Sequence, residues 1–258
     1  CVIEQINAIK KPVLSIDVPS GIDADTGNVM AVAVKADVTS TFLGNKHGLY
    51  TGSAPAYCRD IICDDLQLPN RLFSSESPSA ELIAWQKLQH HLPKRQRDAH
   101  KGRYGHTLVI GGDYGMGGAV RMAAEAALRV GSGLVSVATR PEHAPVVCSD
   151  RPEIMCHQVS NAEDLKPLLE KASVAVIGPG LGKSDWAQTL LGSVLTRNYP
   201  TVLDADALNL LSQYPLYSDH WILTPHPGEA ARLLNISTEA IQADRSGKRM
   251  PHRPIGDE

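Results

Sequence analysis

The sequence lacks the features that usually mark membrane, nucleic-acid-binding and disulfide-stabilised proteins. Among its 258 residues, no apolar run approaches the roughly 20 that are needed to span a bilayer. Aromatic residues make up only 5% and the formal net charge is −3, so neither base stacking nor a basic field for phosphate backbones is expected. The five cysteines have neither disulfide-framework nor zinc-site spacing, which predicts reduced thiols in a cytoplasmic protein. We therefore expect no membrane and no nucleic-acid partner; homo-oligomerisation is left open.

Short apolar runs separated by glycine and polar residues dominate the chain and indicate an α/β fold. Strand-like runs are predicted at residues 13–16, 36–42, 57–63, 106–110, 134–139, 174–177, 201–203 and 221–224. Helical periodicity lies between the later strands and is clearest at residues 118–130, where Gly131 supplies a C-terminal stop. This alternation predicts a mostly parallel sheet with helices on both faces.

Composition divides the chain into two blocks, a linker and a tail. Residues 1–70 form the first block and residues 101–245 the second, whereas the polar and charged residues 71–100 are typical of a linker. Within the linker, AELIAWQKLQHHL predicts a short helix with Leu82, Ile83 and Leu88 facing inward. Residues 246–258 show no periodicity and look unrelated to what precedes them. Because CVIEQINAIK predicts a helix already under way, we expect a fragment.

Glycine, aspartate or histidine follows five of the predicted strands, where ligands bind in open α/β sheets. The segments are DVPSG (17–21), GGDYGMGGA (111–119), GPGLG (178–182), DADALN (204–209) and PHPGE (225–229). The glycines allow a ligand to approach the backbone, and the alternative is a turn that needs positive φ. The spacing is neither a Walker loop nor a clean dinucleotide fingerprint. We predict a ligand pocket at the carboxyl ends of the strands in residues 104–236, with Gly180 and His226 on the same side of the sheet.

The polar residues of these segments are candidates for binding and acid–base chemistry. His226 is fixed between two prolines, which favours a ligand contact. Asp204 is a candidate to face the ligand or to order Mg²⁺-bound water, whereas Asp206 is predicted to cap a helix. Asp17 is a candidate acid–base group with an Asx turn as the alternative, and Ser20 offers an oxygen to an ion or substrate.

A basic cluster, HKGRYGH, precedes the first strand of the second block. A solvated entry segment is the first interpretation of this cluster. A phosphate contact by Lys101 or Arg103 is the second choice.

In this order, the motifs closely resemble those of the bacterial bifunctional NAD(P)H-hydrate repair enzymes. The motifs are DVPSGIDADTGNV, KADVTSTFLGNKHGLYTG, HKGRYGHTLVIGGDYGMGGAVRMAAEAALRVGSGLV, VAVIGPGLG, LDADALNLL and LTPHPGEAARLL. The resemblance covers residues 1–245. It implies that residues 1–70 are the C-terminal part of a Rossmann-like NAD(P)H-hydrate epimerase domain. It also implies that residues 101–245 are the N-terminal part of a ribokinase-like α/β/α dehydratase domain.

The resemblance implies a chemistry and a set of site residues. The epimerase interconverts R and S hydrates of NADH or NADPH, and the dehydratase restores the cofactor from the S hydrate with ADP or ATP as phosphoryl donor. The implied cofactors are potassium in the epimerase domain and Mg²⁺ with the nucleotide in the dehydratase domain. Asp17 corresponds to the catalytic, hydrate-contacting acid, Ser20 to a potassium ligand and Asp204 to an acid at the nucleotide and Mg²⁺ side. The implied hydrate-binding residues of the dehydratase are Gly118, Ala119, Gly178, Gly180, Gly182 and His226.

The chain departs from this family at both ends. The family's NNGGDG-type loop, its Lys-Gly nucleotide segment and its GGxGD loop with the catalytic base are not in the sequence. We therefore expect truncation at both ends, impaired dehydratase activity, and an unpaired edge or uncovered face at strand 221–224 that lowers solubility. Two alternatives remain open: another ribokinase-fold kinase of a small molecule, and a non-catalytic remnant that binds nucleotides.

Overall fold

A computed structural model describes residues 1–69, 71, 77–92, 94–214, 216–245 and 247. Two compact units are present, one formed by Cys1–Lys94 with a short piece that starts at Glu239, the other by Arg95–Thr238. The division falls inside the predicted linker, and the domain limits given above stay predictions. All of the predicted tail except Gly247 lies outside the described residues. Among the described helices, none is both long enough and apolar enough to cross a bilayer.

The first unit holds a three-stranded parallel sheet. Helix α1 (Val2–Ala8) precedes β1 (Leu14–Ile16), β2 (Ala36–Phe42) and β3 (Cys58–Asp64), which pair in that order. The three predicted strands are confirmed. A small core of Ile22, Ala33, Leu49, Ala54 and Cys58 packs beside the sheet.

The linker helix is shorter than predicted. Helix α2 spans only Trp85–Leu88 and continues as a 3₁₀ turn over Gln89–His91. Leu82 and Ile83 precede the helix and are 55% and 78% exposed, and Leu88 is 42% exposed. The prediction that these side chains face inward is wrong, because a single helical turn presents no continuous apolar stripe.

The second unit contains a six-stranded sheet in which every neighbouring pair is parallel. The strands are β4 (His106–Ile110), β5 (Leu134–Thr139), β6 (Ile154–Gln158), β7 (Val174–Ile177), β8 (Thr201–Leu203) and β9 (Trp221–Leu223). Their order is β6-β5-β4-β7-β8-β9. All six carboxyl ends therefore meet at one edge, which we call the carboxyl edge. The sequence analysis missed β6, whose residues IMCHQ form no apolar run because only Ile154 is buried in this edge strand.

Helices cover both faces of the second sheet, as predicted. They are α3 (Gly117–Val130), α4 (Ala144–Val147), α5 (Ala162–Lys171), α6 (Asp185–Leu195), α7 (Ala205–Leu211) and α8 (Pro227–Leu234). The last described helix, α9 (Thr238–Ala243), belongs from Glu239 onwards to the first unit. Val109 and Val137 pack against α3, whereas Ile110, Ile177 and Leu203 pack on the face that holds buried residues of α5, α6 and α7. Within the described part of the chain, strand β9 lies at the end of the sheet with Ile222 63% exposed, as expected for residues 221–224; that this results from truncation stays a prediction. Reduced solubility remains a prediction.

Candidate active sites

Two glycine-rich loops meet at the carboxyl edge of the second unit. The loop after β4 donates hydrogen bonds from the Gly112 and Asp113 amides to the carbonyls of Pro179 and Gly180 in the loop after β7, at 3.1 and 2.7 Å. His226 follows β9 at the same edge. The prediction that Gly180 and His226 lie on the same side of the sheet is confirmed, because all strands between them are parallel.

Backbone packing accounts for the glycines after β7. Gly178, Gly180 and Gly182 all have positive φ, at 130°, 57° and 72°. A Cβ at Gly178 would lie 1.7 Å from the Asp204 carbonyl oxygen, and one at Gly180 would lie 2.7 Å from that of Met116. The turn geometry named above as the alternative is therefore present, and contact with a ligand stays a prediction.

The start of helix α3 is open. Its N-cap residue, Met116, makes no side-chain capping hydrogen bond to any described residue, and Gly118 is exposed. A Cβ at Gly118 would meet no described atom within 4 Å, and Ala119 beside it is half-buried. The Ala119 amide donates to the Met116 carbonyl at 3.2 Å. The Gly117 and Gly118 amides make no hydrogen bond with the described residues and are left to a ligand or to water, and the helix dipole favours an anion there.

A buried ion pair, which the sequence analysis did not identify, ties the two glycine-rich loops together. Asp113 accepts hydrogen bonds from Arg140 Nε and Ser184 Oγ, both at 2.7 Å, and from the Tyr114 amide at 2.9 Å. Burial raises the pKa of Asp113, but the hydrogen bonds from Arg140 and Ser184 outweigh it, so the pKa lies below its ordinary value. An aspartate inside a glycine-rich loop was the only sequence signal, since its partners lie 27 and 71 residues away.

Of the two carboxylates after β8, Asp206 has a different role from the one predicted, whereas the role of Asp204 stays a prediction. Asp204, not Asp206, occupies the N-cap position of α7, with extended backbone and no side-chain capping bond within the described chain. Asp206 lies in the first turn and accepts the Gly182 amide at 2.9 Å, so the prediction that it caps the helix is wrong. Its carboxylate reaches the neighbouring loop instead of its own helix. One oxygen of Asp204 accepts from Thr224 Oγ1 at 2.7 Å.

His226 is the N-cap of α8. Its Nδ1 accepts from the amides of Gly228 and Glu229 at 3.0 and 3.3 Å. In turn, Glu229 Oε2 accepts from the His226 amide at 2.9 Å. Because Nδ1 is an acceptor, the neutral ring carries its proton on Nε2. The imidazole is 61% exposed, so Nε2 remains within reach of a ligand, with Glu229 Oε1 3.3 Å away.

Asn209 in α7 and Arg232 in α8, which the sequence analysis also missed, join the two helices that follow β8 and β9. Arg232 Nε donates to Asn209 Oδ1 at 2.9 Å, and Arg232 Nη1 donates to the Gly228 carbonyl at 3.0 Å. Asn209 Nδ2 contacts Asp206 at 3.4 Å. By contrast, Lys101 and Arg103 lie in a 3₁₀ turn at the amino end of β4, away from the carboxyl edge.

The first unit places a second candidate site after β1. Asp17, at φ 67°, accepts hydrogen bonds from Lys46 Nζ at 2.6 Å and from Thr41 Oγ1 at 3.1 Å. The Lys46 ammonium holds the pKa of Asp17 below its ordinary value. Lys46 also donates to the Phe42 carbonyl at 2.8 Å, which fixes the ammonium at the end of β2. The sequence analysis missed Lys46, which lies 29 residues from Asp17.

Ser20 is exposed, and its carbonyl accepts the Val34 amide at 2.9 Å. No group of three or more His, Cys, Asp or Glu side chains that could hold a metal ion lies within the described parts of either unit.

Comparison with known proteins relates both units to characterised enzymes. Residues 107–250 match the family model for NAD(P)H-hydrate dehydratase, and residues 1–48 match that for the YjeF-related protein N-terminus. A bifunctional NAD(P)H-hydrate repair enzyme from Coxiella burnetii is 61% identical over 94% of this chain and 50% of the relative. The chain thus spans about half the length of that relative.

Solved structures support the fold of the second unit. The ADP/ATP-dependent NAD(P)H-hydrate dehydratase of Bacillus subtilis, co-crystallised with ATP and Mg²⁺, matches with a TM-score of 0.51 and 30% identity over 59% of this chain and 55% of that one. A ribokinase-like superfamily protein from Enterococcus faecalis matches with a TM-score of 0.53 and 31% identity over 59% and 57%. The expected ribokinase-like fold is therefore confirmed. Since the dehydratase model covers more than half of its residues, the chain belongs to the NAD(P)H-hydrate dehydratase family.

Proposed function

We propose that this chain acts in the repair of hydrated NADH and NADPH. The first unit contributes to epimerisation of the R and S hydrates, an isomerase reaction, and the second to nucleotide-dependent dehydration of the S hydrate, a lyase reaction. The observation that carries the proposal is the pair of glycine-rich loops beside the open start of α3, on a chain of the dehydratase family. The repair and dehydratase activities for which the C. burnetii and B. subtilis proteins are named support it.

In the second unit, the hydrate lies over the carboxyl edge. Gly118 offers its first-turn amide to the phosphates of the hydrate, because this helix start is open and favours anions, and Ala119 lines the same turn while its own amide donates to the Met116 carbonyl. Gly178, Gly180 and Gly182 supply backbone that a ligand can approach without meeting a side chain. His226 donates from Nε2 to a polar atom of the hydrate while its Nδ1 stays bonded to the helix amides.

Dehydration of the hydrate follows from leaving-group chemistry. Hydroxide is a poor leaving group, whereas phosphate is a good one. Transfer of a phosphoryl group from ADP or ATP replaces the proton of the hydrate's hydroxyl. Loss of phosphate together with a proton from the neighbouring ring carbon then re-forms the carbon–carbon double bond of the dihydronicotinamide ring. The protein's part is to hold the two nucleotides in line and to stabilise the transferring charge with fixed dipoles.

Asp204 fits the role of a Mg²⁺-associated acid. One carboxylate oxygen is held by Thr224, and the other has no hydrogen bond to any residue in the described part of the chain. Mg²⁺ is commonly held by one or two carboxylates together with waters and substrate phosphates, so a single oriented aspartate suffices. Mg²⁺ would supply charge neutralisation between the phosphates, and Asp204 would orient it directly or through a water.

In the first unit, Asp17 is the acid–base group of the epimerase reaction. The Lys46 ammonium fixes the position of its carboxylate in the ionised, proton-accepting form, although the same ion pair lowers its pKa and so its basicity. For potassium, the Ser20 hydroxyl is the available oxygen, since it makes no hydrogen bond with the described residues, while its carbonyl is held by Val34. Potassium would supply a fixed positive charge beside the substrate.

Binding and turnover should be measured separately on the full chain. We expect the S hydrate of NADPH, titrated calorimetrically, to bind more tightly than NADPH itself, and Gly118→Ala to weaken that binding. Absence of any preference for the hydrate would overturn the proposal for the second unit. Addition of ATP and Mg²⁺, followed by NADPH absorbance, then tests dehydration, whose impairment stays a prediction.

Epimerisation is tested with the pure R hydrate, followed chromatographically as S hydrate forms. Asp17→Asn should slow conversion roughly 10²–10⁴-fold, the range typical of a lost acid–base group. Exposed Asp60→Asn is the matched control within the first unit. Equal rates for Asp17→Asn and wild type would remove Asp17 from the reaction.

A further inference from the structure

Asp113 is the point at which the loops after β4 and β7 are joined by side chains. Its carboxylate accepts from Ser184 Oγ at the start of α6, and its amide donates to the Gly180 carbonyl at 2.7 Å. A Cβ at Gly182 would lie 2.8 Å from Asp113 Oδ2. One buried residue, 7% exposed, thus bonds to Gly180 through its amide and to Ser184 through its carboxylate, and the absence of a side chain at Gly182 leaves room for that carboxylate.

Arg140, at the carboxyl end of β5, holds that carboxylate in place. Its guanidinium carbon lies 4.2 Å from the centre of the Trp186 ring and 4.6 Å from that of Tyr114, and Nε donates to Asp113 Oδ1 at 2.7 Å. Trp186 is buried, and its indole nitrogen donates to the Val159 carbonyl at 2.9 Å. The guanidinium is therefore fixed between two rings, one of which is anchored to the sheet.

This arrangement matters because the glycines of the two loops have no side chains that could fix their own positions. The predicted ligand-facing groups are backbone amides, and a displacement of about 1 Å in such groups can cost on the order of 10²-fold in rate. Lysine cannot replace Arg140 here, because it lacks both the planar fork and the faces that stack.

We propose that Arg140 is a positioning residue, which acts through Asp113 to hold the two glycine-rich loops in the arrangement that binds the hydrate. The hydrate as ligand rests on the function proposed above, whereas the coupling of the loops does not. Arg140 itself does not touch the ligand.

A double-mutant cycle tests whether Arg140 acts through Asp113. In titrations of the full chain with the S hydrate of NADPH, Arg140→Lys and Asp113→Asn should each weaken binding roughly tenfold or more. The double variant should bind about as weakly as either single one, because both changes remove the same constraint. Ser184→Ala, which removes one contact, should show a smaller loss, and exposed Arg129→Lys should bind as wild type. Additive losses, or wild-type affinity in Arg140→Lys, would overturn the proposal.

Amide exchange keeps the proposal testable if wild type does not bind the hydrate. The Gly112 and Asp113 amides report directly on the contact between the loops, since they donate to Pro179 and Gly180. Their hydrogen exchange should be at least about tenfold faster in Arg140→Lys and in Asp113→Asn, while that of Thr224, which donates to Leu203, should not change. Unchanged exchange at Gly112 and Asp113 in both folded variants would refute the coupling, whatever the ligand.

Discussion

The two halves of the carboxyl edge are held together by different means. In the half after β4 and β7, the backbone is rich in glycine, and its position is fixed by the ion pair between the buried Asp113 and Arg140. In the half after β8 and β9, the exposed side chains of His226 and Arg232 are held by Glu229 and Asn209, respectively, and by bonds to backbone.

The difference reflects what each half can offer to a ligand. A loop that presents backbone amides must be made of small residues, so its rigidity has to come from residues beneath it. A loop that presents side chains can be fixed by those same side chains. Changes in the first half should therefore affect stability and binding together, whereas changes in the second half should separate them.

The largest expected effect is loss of the buried ion pair. Arg140→Met keeps an apolar stem but leaves Asp113 buried without its cation, and breaking such a pair typically costs about 3–5 kcal/mol. The free energy of unfolding from urea titration measures the loss. Arg129→Met, which breaks an exposed pair with Glu125, should cost less than about 1 kcal/mol. If the two variants lose a similar amount of free energy of unfolding, the ion pair of Asp113 contributes no more to stability than an exposed pair does.

Gly178→Ala should come next. A Cβ there would lie 1.7 Å from the Asp204 carbonyl oxygen at a φ of 130°, so the backbone must shift as well as strain. We expect a loss of about 3 kcal/mol in the free energy of unfolding, measured by urea titration. A loss below about 1 kcal/mol would mean that the loop after β7 is free to move.

The acid sensitivity of the first half depends on Asp113. Its pKa is lowered in the folded chain, so its stabilisation is complete above the unfolded value of about 4 and is lost as pH falls through the folded value. The free energy of unfolding should therefore decline below about pH 4, and this decline should be shallower in Asp113→Asn. Parallel declines in the two proteins would show that Asp113 does not titrate below its unfolded value.

The sequence could predict the sheet and its edge, because these follow from local patterns. Strands β4, β5, β7 and β8 are apolar runs whose bounds were predicted correctly, and β4, β7 and β8 are followed by glycine or aspartate. Strand β6 was missed because an edge strand such as IMCHQ buries too few residues to leave an apolar run.

Partners across the fold could not be predicted from local patterns. Asp113 and Ser184 lie 71 residues apart, and only the pairing of β4 with β7 brings their loops together. The interpretation of Asp206 as a cap failed for the same reason, since its actual partner, the Gly182 amide, belongs to a neighbouring loop.

His226 tests whether the second half separates stability from binding. His226→Ala removes the Nδ1 acceptor for two helix amides, and lost caps typically cost about 1 kcal/mol. His226→Asn should restore the cap and most of the stability, but not the Nε2 donor. We therefore expect Asn to recover the melting temperature without recovering affinity for the S hydrate. Recovery of both would leave His226 with a capping role alone.

The smallest change in the free energy of unfolding is expected for a substitution at Gly118, which should stabilise the chain, unlike the substitutions above. A Cβ there would meet no described atom within 4 Å, and alanine favours a helix over glycine, so Gly118→Ala should stabilise the chain by about 0.5 kcal/mol. Gly192→Ala in α6 is the matched control. Its Cβ would also meet no described atom within 4 Å, but Gly192 lies in the last turn of its helix and not at an open helix start. Both variants should melt slightly higher than wild type in calorimetry.

Only Gly118→Ala should bind the S hydrate of NADPH more weakly, since its new methyl group occupies the space above the open first turn of α3. If both variants bind as wild type, the start of α3 is not part of the binding site; if both bind more weakly, the effect comes from helix stability and not from contact.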